Sequence, residues 1–281
     1  MNGCHAVASQ KKVFTQATFA KWIKEGRGNG EHTDYKPWLT VRDLPSLGRV
    51  HRVFGHKSRR THHLLSDLEL AAFLLLEWHP EITQIREQFP LDYEDTKQIA
   101  KKIGVSHPSV GGNDQYMSSD FLIDSLNKQE RKFVWQAKYA SGLTDERTVE
   151  KLEIERRYWL GKEYSWYLIT EKQIPSVVFN NIKWLYPAER YEEEPELEQQ
   201  KIEFYAHHFA KQPHKTVISI CKELDAAYDL PLGESLYEVR TLLAKRYFTF
   251  DIFIPTIKLK AGNLRHGSFS TIREVYSVSN Q

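Results

Sequence analysis

Cysteine is scarce: Cys4 and Cys221 are the two in 281 residues. They are too few for a disulfide framework or a cysteine-built zinc site, and they suit a reducing, cytoplasmic setting. Nowhere do about 18 uncharged apolar residues run together, so no membrane span is expected. Residues 1–12 lack the apolar centre of a secretion signal. Gly26, Gly28 and Gly30 neither follow a strand nor end in Lys-Ser/Thr, which excludes a phosphate loop. His62-His63 and His207-His208 are adjacent pairs that diverge on a helix or a strand, and no His-x-x-x-His spacing accompanies them, which disfavours zinc. No Ser-His-Asp or Cys-His constellation can be assembled, and there is no internal repeat.

A large net charge is also missing: 39 Lys+Arg stand against 37 Asp+Glu. The balance is uneven along the chain. Residues 42–63 carry Arg42, Arg49, Arg52, Lys57, Arg59 and Arg60 against Asp43 alone, a local +5, together with His51, His56, His62 and His63. Residues 171–239 sum to −6 and residues 240–281 to +5. Basic blocks on a near-neutral chain point to directed phosphate contact, with a solvated charged face as the alternative.

Hydrophobic spacing supplies the elements. Phe19, Trp22 and Ile23 stripe a helix over residues 14–25. Residues 50–53 and 60–64 alternate about Gly55 as a short basic hairpin. Ser66-Asp67-Leu68-Glu69 is a capping box opening an apolar helix through Leu76, which Pro80 ends. A strand over 82–89, an exposed helix over 93–103 and a loop over 106–115 follow. Strands over 117–126 and 133–139 are joined by a turn at 127–130. A charged helix over 144–160 then leads to a strand over 164–170. This is an α/β domain with a mixed sheet flanked by helices, placed at residues 1–170. Residues 171–281 read as a smaller, mainly α domain. Its helices cover 175–186, 197–209, a third containing Val217 to Ala227, and a fourth striped by Leu236, Val239, Leu242 and Leu243. Two strands, 247–254 and 257–259, are expected after them, giving a winged-helix-like pattern.

Three positions carry chemistry. Asp120 lies on one expected strand, and Gln136 and Lys138 lie on the next, in the layout D-x15-Q-x-K. The period of two puts Gln136 and Lys138 on one face and turns Phe133, Trp135 and Ala137 to the core. Phosphodiester hydrolysis needs a divalent cation on carboxylate oxygens and a positive group near the attacking water or the phosphate. Mg2+ keeps several waters, so one or two acids suffice. The layout resembles the D-(x)n-(D/E)-x-K motif of the restriction-endonuclease superfamily, with Gln136 replacing the usual acid. Glu69 supplies a second carboxylate. The residues also admit plainer readings: a surface hairpin with an unrelated lysine, and Glu69 as a capping-box residue alone. Glu155 shares a helix face with Leu152 and Trp159, and is read either as a further acid of the site or as a rim residue paired to Arg156 or Lys151.

Longer blocks sharpen the picture. IKEGRGNGEHTDYKPWLTV (23–41), HHLLSDLELAAFLLLEW (62–78), IREQFPL (85–91), DQYMSSDFLID (114–124), VWQAK (134–138), DERTVEKLEIERRYW (145–159), NNIKWLY (180–186) and ICKELDAAYDLPLG (220–233) together resemble the TnsA family. These are the endonuclease subunits of heteromeric transposases in Tn-seven-type bacterial transposons. The resemblance implies a restriction-endonuclease-like N-terminal domain and a winged-helix-like C-terminal domain. It implies Glu69, Asp120 and Gln136 as metal ligands, Lys138 as the catalytic cation, and Glu155 as a further acid. The cofactor would be Mg2+, with Mn2+ as a substitute, as one or two ions. The activity would be cleavage at the transposon 5′ ends, while TnsB, a DDE transposase, cuts and joins the 3′ ends. TnsC, an AAA+ regulator, would bind this subunit, and the acidic 171–239 stretch suits such docking. Arg49, Arg52, Lys57, Arg59, Arg60, His62 and His63 would face transposon-end DNA. The setting would be the bacterial cytoplasm, at the nucleoid during transposition. A stand-alone restriction- or repair-type nuclease and a non-catalytic nuclease-fold adaptor are the alternatives.

Overall fold

The computed structural model describes residues 14–43, 49–190 and 194–266. The expectations for residues 1–12, for residues 44–48 of the basic block, for residues 191–193 of the acidic stretch and for the basic tail beyond 266 lie outside them. The chain forms two compact units, Met1–Ile174 and Pro175–Gln281.

The first unit begins with α1 (Gln16–Lys24), capped by the Thr15 hydroxyl. The hairpin β1 (His51–Gly55) and β2 (Arg60–Leu64) follows, paired antiparallel. Then come α2 (Asp67–Trp78), β3 (Ile82–Pro90) and α3 (Tyr93–Ile103). The loop expected over 106–115 holds a small hairpin of β4 (Ser109–Val110) and β5 (Asn113–Asp114). β6 (Ser118–Ser125), β7 (Lys132–Ala137), α4 (Glu146–Gly161) and β8 (Ser165–Ile169) complete the unit. Each helix starts where a short polar side chain accepts an orphan N–H: Ser66 for α2, Asp92 for α3 and Asp145 for α4. Gly104 closes α3 in the left-handed conformation, at φ +74°.

The central sheet has the order β3-β6-β7-β8. Its first two pairings are antiparallel and β7–β8 is parallel, with α4 as the crossover. The mixed α/β character expected from the sequence is present. One side-chain assignment differs. Val134 shares the face of Gln136, yet it is fully buried against Leu91, Leu122, Tyr158 and Trp159. Both faces of the sheet are therefore covered: α3 and α4 supply side chains to one, and α2 packs on β3 and β7. Gln136 and Lys138 continue the α4 face past the apolar cover, at the end of β7.

A buried charge cluster joins the hairpin to the sheet. Glu87 on β3 is fully buried; its carboxylate accepts from Arg60 Nη1 at 2.7 Å, bonds His62 Nδ1 at 2.8 Å and accepts from the His63 backbone N–H at 3.1 Å. Burial alone would raise its pKa. The His62 charge and the Arg60 bonds outweigh that and hold it well below the usual carboxylate range. The other His62 nitrogen is 2.6 Å from Ser58 Oγ.

The second unit comprises α5 (Ser176–Leu185), α6 (Pro195–Lys211), α7 (Val217–Ala227) and α8 (Glu234–Ala244). Its core includes Ile182, Leu185, Tyr205, Ile220, Leu224, Val239 and Leu242. Asp225 on α7 accepts from Gly233 N and Ser235 N, so it caps α8 from the preceding helix. The strands expected over 247–254 and 257–259 do not form. β9 is only Phe248–Thr249, and it pairs with β10 (Arg265–His266). The buried Asn181 of α5 takes the intervening backbone instead. Its Nδ2 donates to Ile252 O and Ile254 O, each at 2.8 Å, and its Oδ1 accepts from Thr256 N at 3.2 Å. Backbone groups tied to a helix side chain are not free to make a ladder.

Glu87→Gln breaks the buried ion cluster and is expected to cost about 3–5 kcal/mol in chemical denaturation. Because the Glu87 pKa is depressed, its contribution is intact above about pH 4.5, the ordinary value, and is lost as pH falls below it.

Candidate active site

Glu69 reaches the site because α2 starts immediately after β2. The Ser66 hydroxyl accepts from Glu69 N at 3.0 Å and donates to Glu69 Oε1 at 3.0 Å, while Leu65 N donates to Glu69 Oε2 at 2.8 Å. The capping box is therefore real. It also fixes Glu69 at the helix N-terminus, where negative charge is favoured.

Asp120 is held by β7. Ala137 N donates to Asp120 Oδ2 at 2.8 Å, and Gln136 Oε1 accepts from Asp120 N at 2.9 Å. Gln136 thus grips the backbone of the residue beside it in the sheet. One lone pair of its carbonyl oxygen is left to accept from a further donor or to meet a cation. Lys138 follows at the strand end. Its ammonium forms no hydrogen bond or salt bridge with any described residue, and its charge helps keep Asp120 from rising further.

The two carboxylates meet through a residue that the sequence did not mark. Gln88 lies in β3 between the paired positions Glu87↔Phe121 and Phe89↔Ser119, across from Asp120. Its Nε2 donates to Glu69 Oε2 at 3.2 Å and to Asp120 Oδ1 at 3.2 Å. Its Oε1 accepts from Ser118 Oγ at 3.1 Å. Glu69, Gln88 and Asp120 are all buried, at 6%, 3% and 8% exposure. Burial raises both carboxyl pKa values, and the Asp120 charge adds to the rise at Glu69. Two buried acids on one amide form a coupled pair that favours sharing a proton or a cation.

Glu155 sits behind Asp120 and is not at the rim. It is 3% exposed, and its Oε1 accepts from Ser119 Oγ at 2.6 Å and from Trp166 Nε1 at 3.0 Å. Arg156, one of the two expected rim partners, pairs with Glu153 instead. Burial, and less strongly the Asp120 charge, push Glu155 up to about 8.

The basic hairpin divides into two groups. Arg49, Arg52 and Arg59 are exposed. Arg60 and His62, expected to face DNA, turn inward, because the buried Glu87 needs charged partners. His63 is half-buried and accepts from Val41 N at 3.5 Å, and its burial lowers its pKa. Lys57 is half-buried beside Glu77, which accepts from its backbone N–H at 3.4 Å. A shallow depression of about 690 Å³ runs alongside β2, lined in part by Lys24, Lys36, Arg60, Thr61 and His63. The exposed lysines of this wall, Lys24 and Lys36, lie outside the block that sequence charge singled out.

Among the described residues no cluster of three or more His, Cys, Asp or Glu side chains stands ready for a metal. The donors on hand are two carboxylates with amide oxygens beside them. That set of hard oxygens, carrying two buried acids, fits Mg2+ and not a soft metal.

Residues 79–171 match the family model described as TnsA-like endonuclease N terminal, and residues 173–252 match TnsA endonuclease C terminal. The chain is 45% identical over 274 residues to the transposon Tn7 transposition protein TnsA of Escherichia coli, covering 98% of this chain and 100% of that protein.

Glu155→Gln keeps an oxygen for both donors and cannot ionise. The raised pKa means that wild type loses stability as pH rises from about 4.5 to about 8. The variant is expected to remove on the order of 4 kcal/mol of that loss, read from denaturation midpoints across the range.

Proposed function

The chain belongs to the TnsA family and is the DNA endonuclease subunit of a Tn7-type transposase; on that premise we propose that Glu69 and Asp120 hold the divalent cation with which it hydrolyses the 5′ ends of the transposon. The observation that carries this reading is the shared Gln88 amide: two buried carboxylates from different elements are brought onto one donor, with Lys138 at the end of the adjoining strand.

Mg2+, or Mn2+ in its place, supplies an activated water and charge neutralisation when bound. The protein does the rest. β7 orients Asp120 through Ala137 N–H and the Gln136 amide oxygen. The capping box orients Glu69. Lys138 holds a positive charge beside Asp120, where it meets the phosphate or the attacking water. Glu155 supports β6 from behind through Ser119. Arg49, Arg52 and Arg59 on the hairpin, with Lys24 and Lys36 beside it, serve as phosphate contacts that position the duplex.

TnsB makes and joins the 3′ ends in this scheme, and TnsC docks on the second unit. The −6 charge of residues 171–239 supports a protein partner there over a DNA-reading helix. The α7–turn–α8 arrangement, with the short β9–β10 pairing after it, is compatible with a reduced winged helix. No helix among the described residues is long and apolar enough to cross a membrane. Work in the bacterial cytoplasm at the nucleoid fits that.

Strand-resolved cleavage of transposon-end DNA with Mg2+, TnsB and TnsC tests the proposal. Asp120→Ala is expected to abolish 5′-strand cuts and to leave 3′ cutting and joining intact, so that cointegrates replace simple insertions. If both strands are still cut, the carboxylate assignment is wrong.

A further inference from the structure

We infer that Gln88 is the third oxygen ligand of the cation site, reached by a half-turn of its side-chain amide. This rests on the reading of Glu69 and Asp120 as the cation's carboxylates. Those two acids leave an Mg2+ or Mn2+ ion short of protein oxygens. No third Asp, Glu or His joins them among the described residues, and the Gln136 oxygen keeps only the lone pair that Asp120 N–H leaves it.

Gln88 is at the required place with the opposite polarity. Its Nε2 is 3.2 Å from both Glu69 Oε2 and Asp120 Oδ1, so one hydrogen goes to each acid. A cation taking both of those oxygens would face the amide hydrogens, and like charges repel. The side chain has little room to leave. Gln88 is 3% exposed, and its carbonyl accepts from Trp38 N at 3.1 Å. Its backbone is left-handed at φ +49°, rare for a non-glycine residue and fixed here by its neighbours.

Rotation about the terminal torsion is the open route, because that torsion is soft and roughly two-fold. The half-turn exchanges Oε1 for Nε2 and presents the oxygen to the acids. Ser118 permits it. Its hydroxyl now donates to Gln88 Oε1 at 3.1 Å, and a hydroxyl accepts from an amide N–H as readily. The Ser118 bond is therefore kept in both orientations, and the two bonds to the carboxylates are exchanged for the ion. Ser118 acts as the pivot, and the amide adapts the site to either occupant, proton or cation.

Mn2+ binding to the full chain, measured by calorimetry and by the loss of free-ion electron paramagnetic resonance signal, decides this. Gln88→Met keeps the side-chain length and removes the oxygen; it is expected to weaken Mn2+ binding at least about tenfold. Gln88→Glu keeps an oxygen facing the acids and is expected to bind Mn2+ at least as tightly as wild type. Asp120→Ala is expected to lose binding. Wild-type or tighter affinity in Gln88→Met, with Asp120→Ala still defective, overturns the Gln88 assignment and leaves the carboxylate pair standing. Wild-type affinity in Asp120→Ala overturns the pair itself. If Gln88→Met does not fold, as judged by circular dichroism, Gln88→Glu decides: tenfold weaker binding there contradicts an oxygen ligand at this position.

Discussion

One amide nitrogen, Gln88 Nε2, donates to Glu69 and Asp120 together, and the site is organised around keeping those carboxylates side by side out of water. Burial makes each acid resist ionisation, and the Asp120 charge adds to the effect at Glu69. An arrangement of that kind stores affinity for something positive. The surrounding bonds all serve to hold it: a capping box on one acid, strand N–H and amide groups on the other, and a lysine charge nearby.

Adjacent residues of β3 divide the work of assembly. Gln88 joins the acids, while Glu87 binds Arg60 and His62 of β2. The hairpin is thereby fixed to the sheet, and since β2 leads directly into Ser66 and α2, the same anchor sets where Glu69 begins its helix. Breaking the Glu87 cluster is therefore expected to affect the site as well as the fold. The left-handed backbone at Gln88 belongs to the same design. It occurs between Glu87, bonded to Arg60 of β2, and Phe89, whose ring meets Trp159, and Trp38 N–H holds the backbone carbonyl in place.

Most of the elements were legible because their punctuation is local. Ser66, Pro80 and the 127–130 turn each mark a boundary by their own chemistry, and period-two or helical spacing fills the intervals. Asp120, Gln136 and Lys138 were legible by spacing, and Glu69 through its capping box. Gln88 was not. It is an uncharged residue in a run read simply as a strand, and its meaning comes from the register that sets it opposite Asp120. Arg60 and His62 failed differently. Charge in a sequence reads as surface, and only the packing of the β1–β2 hairpin against β3 reveals a buried Glu87 that claims them. The missing second-unit strands have the same origin: Tyr247 to Ile254 has strand composition, but a single buried Asn181 from another helix takes its carbonyls. Each miss is a non-local polar contact between residues distant in sequence.

Membership of the TnsA family supplies the reaction, and the geometry brings together the residues proposed to perform it. The two meet at the carboxylate pair, and anomalous diffraction from crystals soaked in Mn2+ tests that meeting most directly. A peak in contact with carboxylate oxygens of both Glu69 and Asp120 is the predicted result. A peak elsewhere, or no peak at Mn2+ levels that support cleavage, would contradict the assignment.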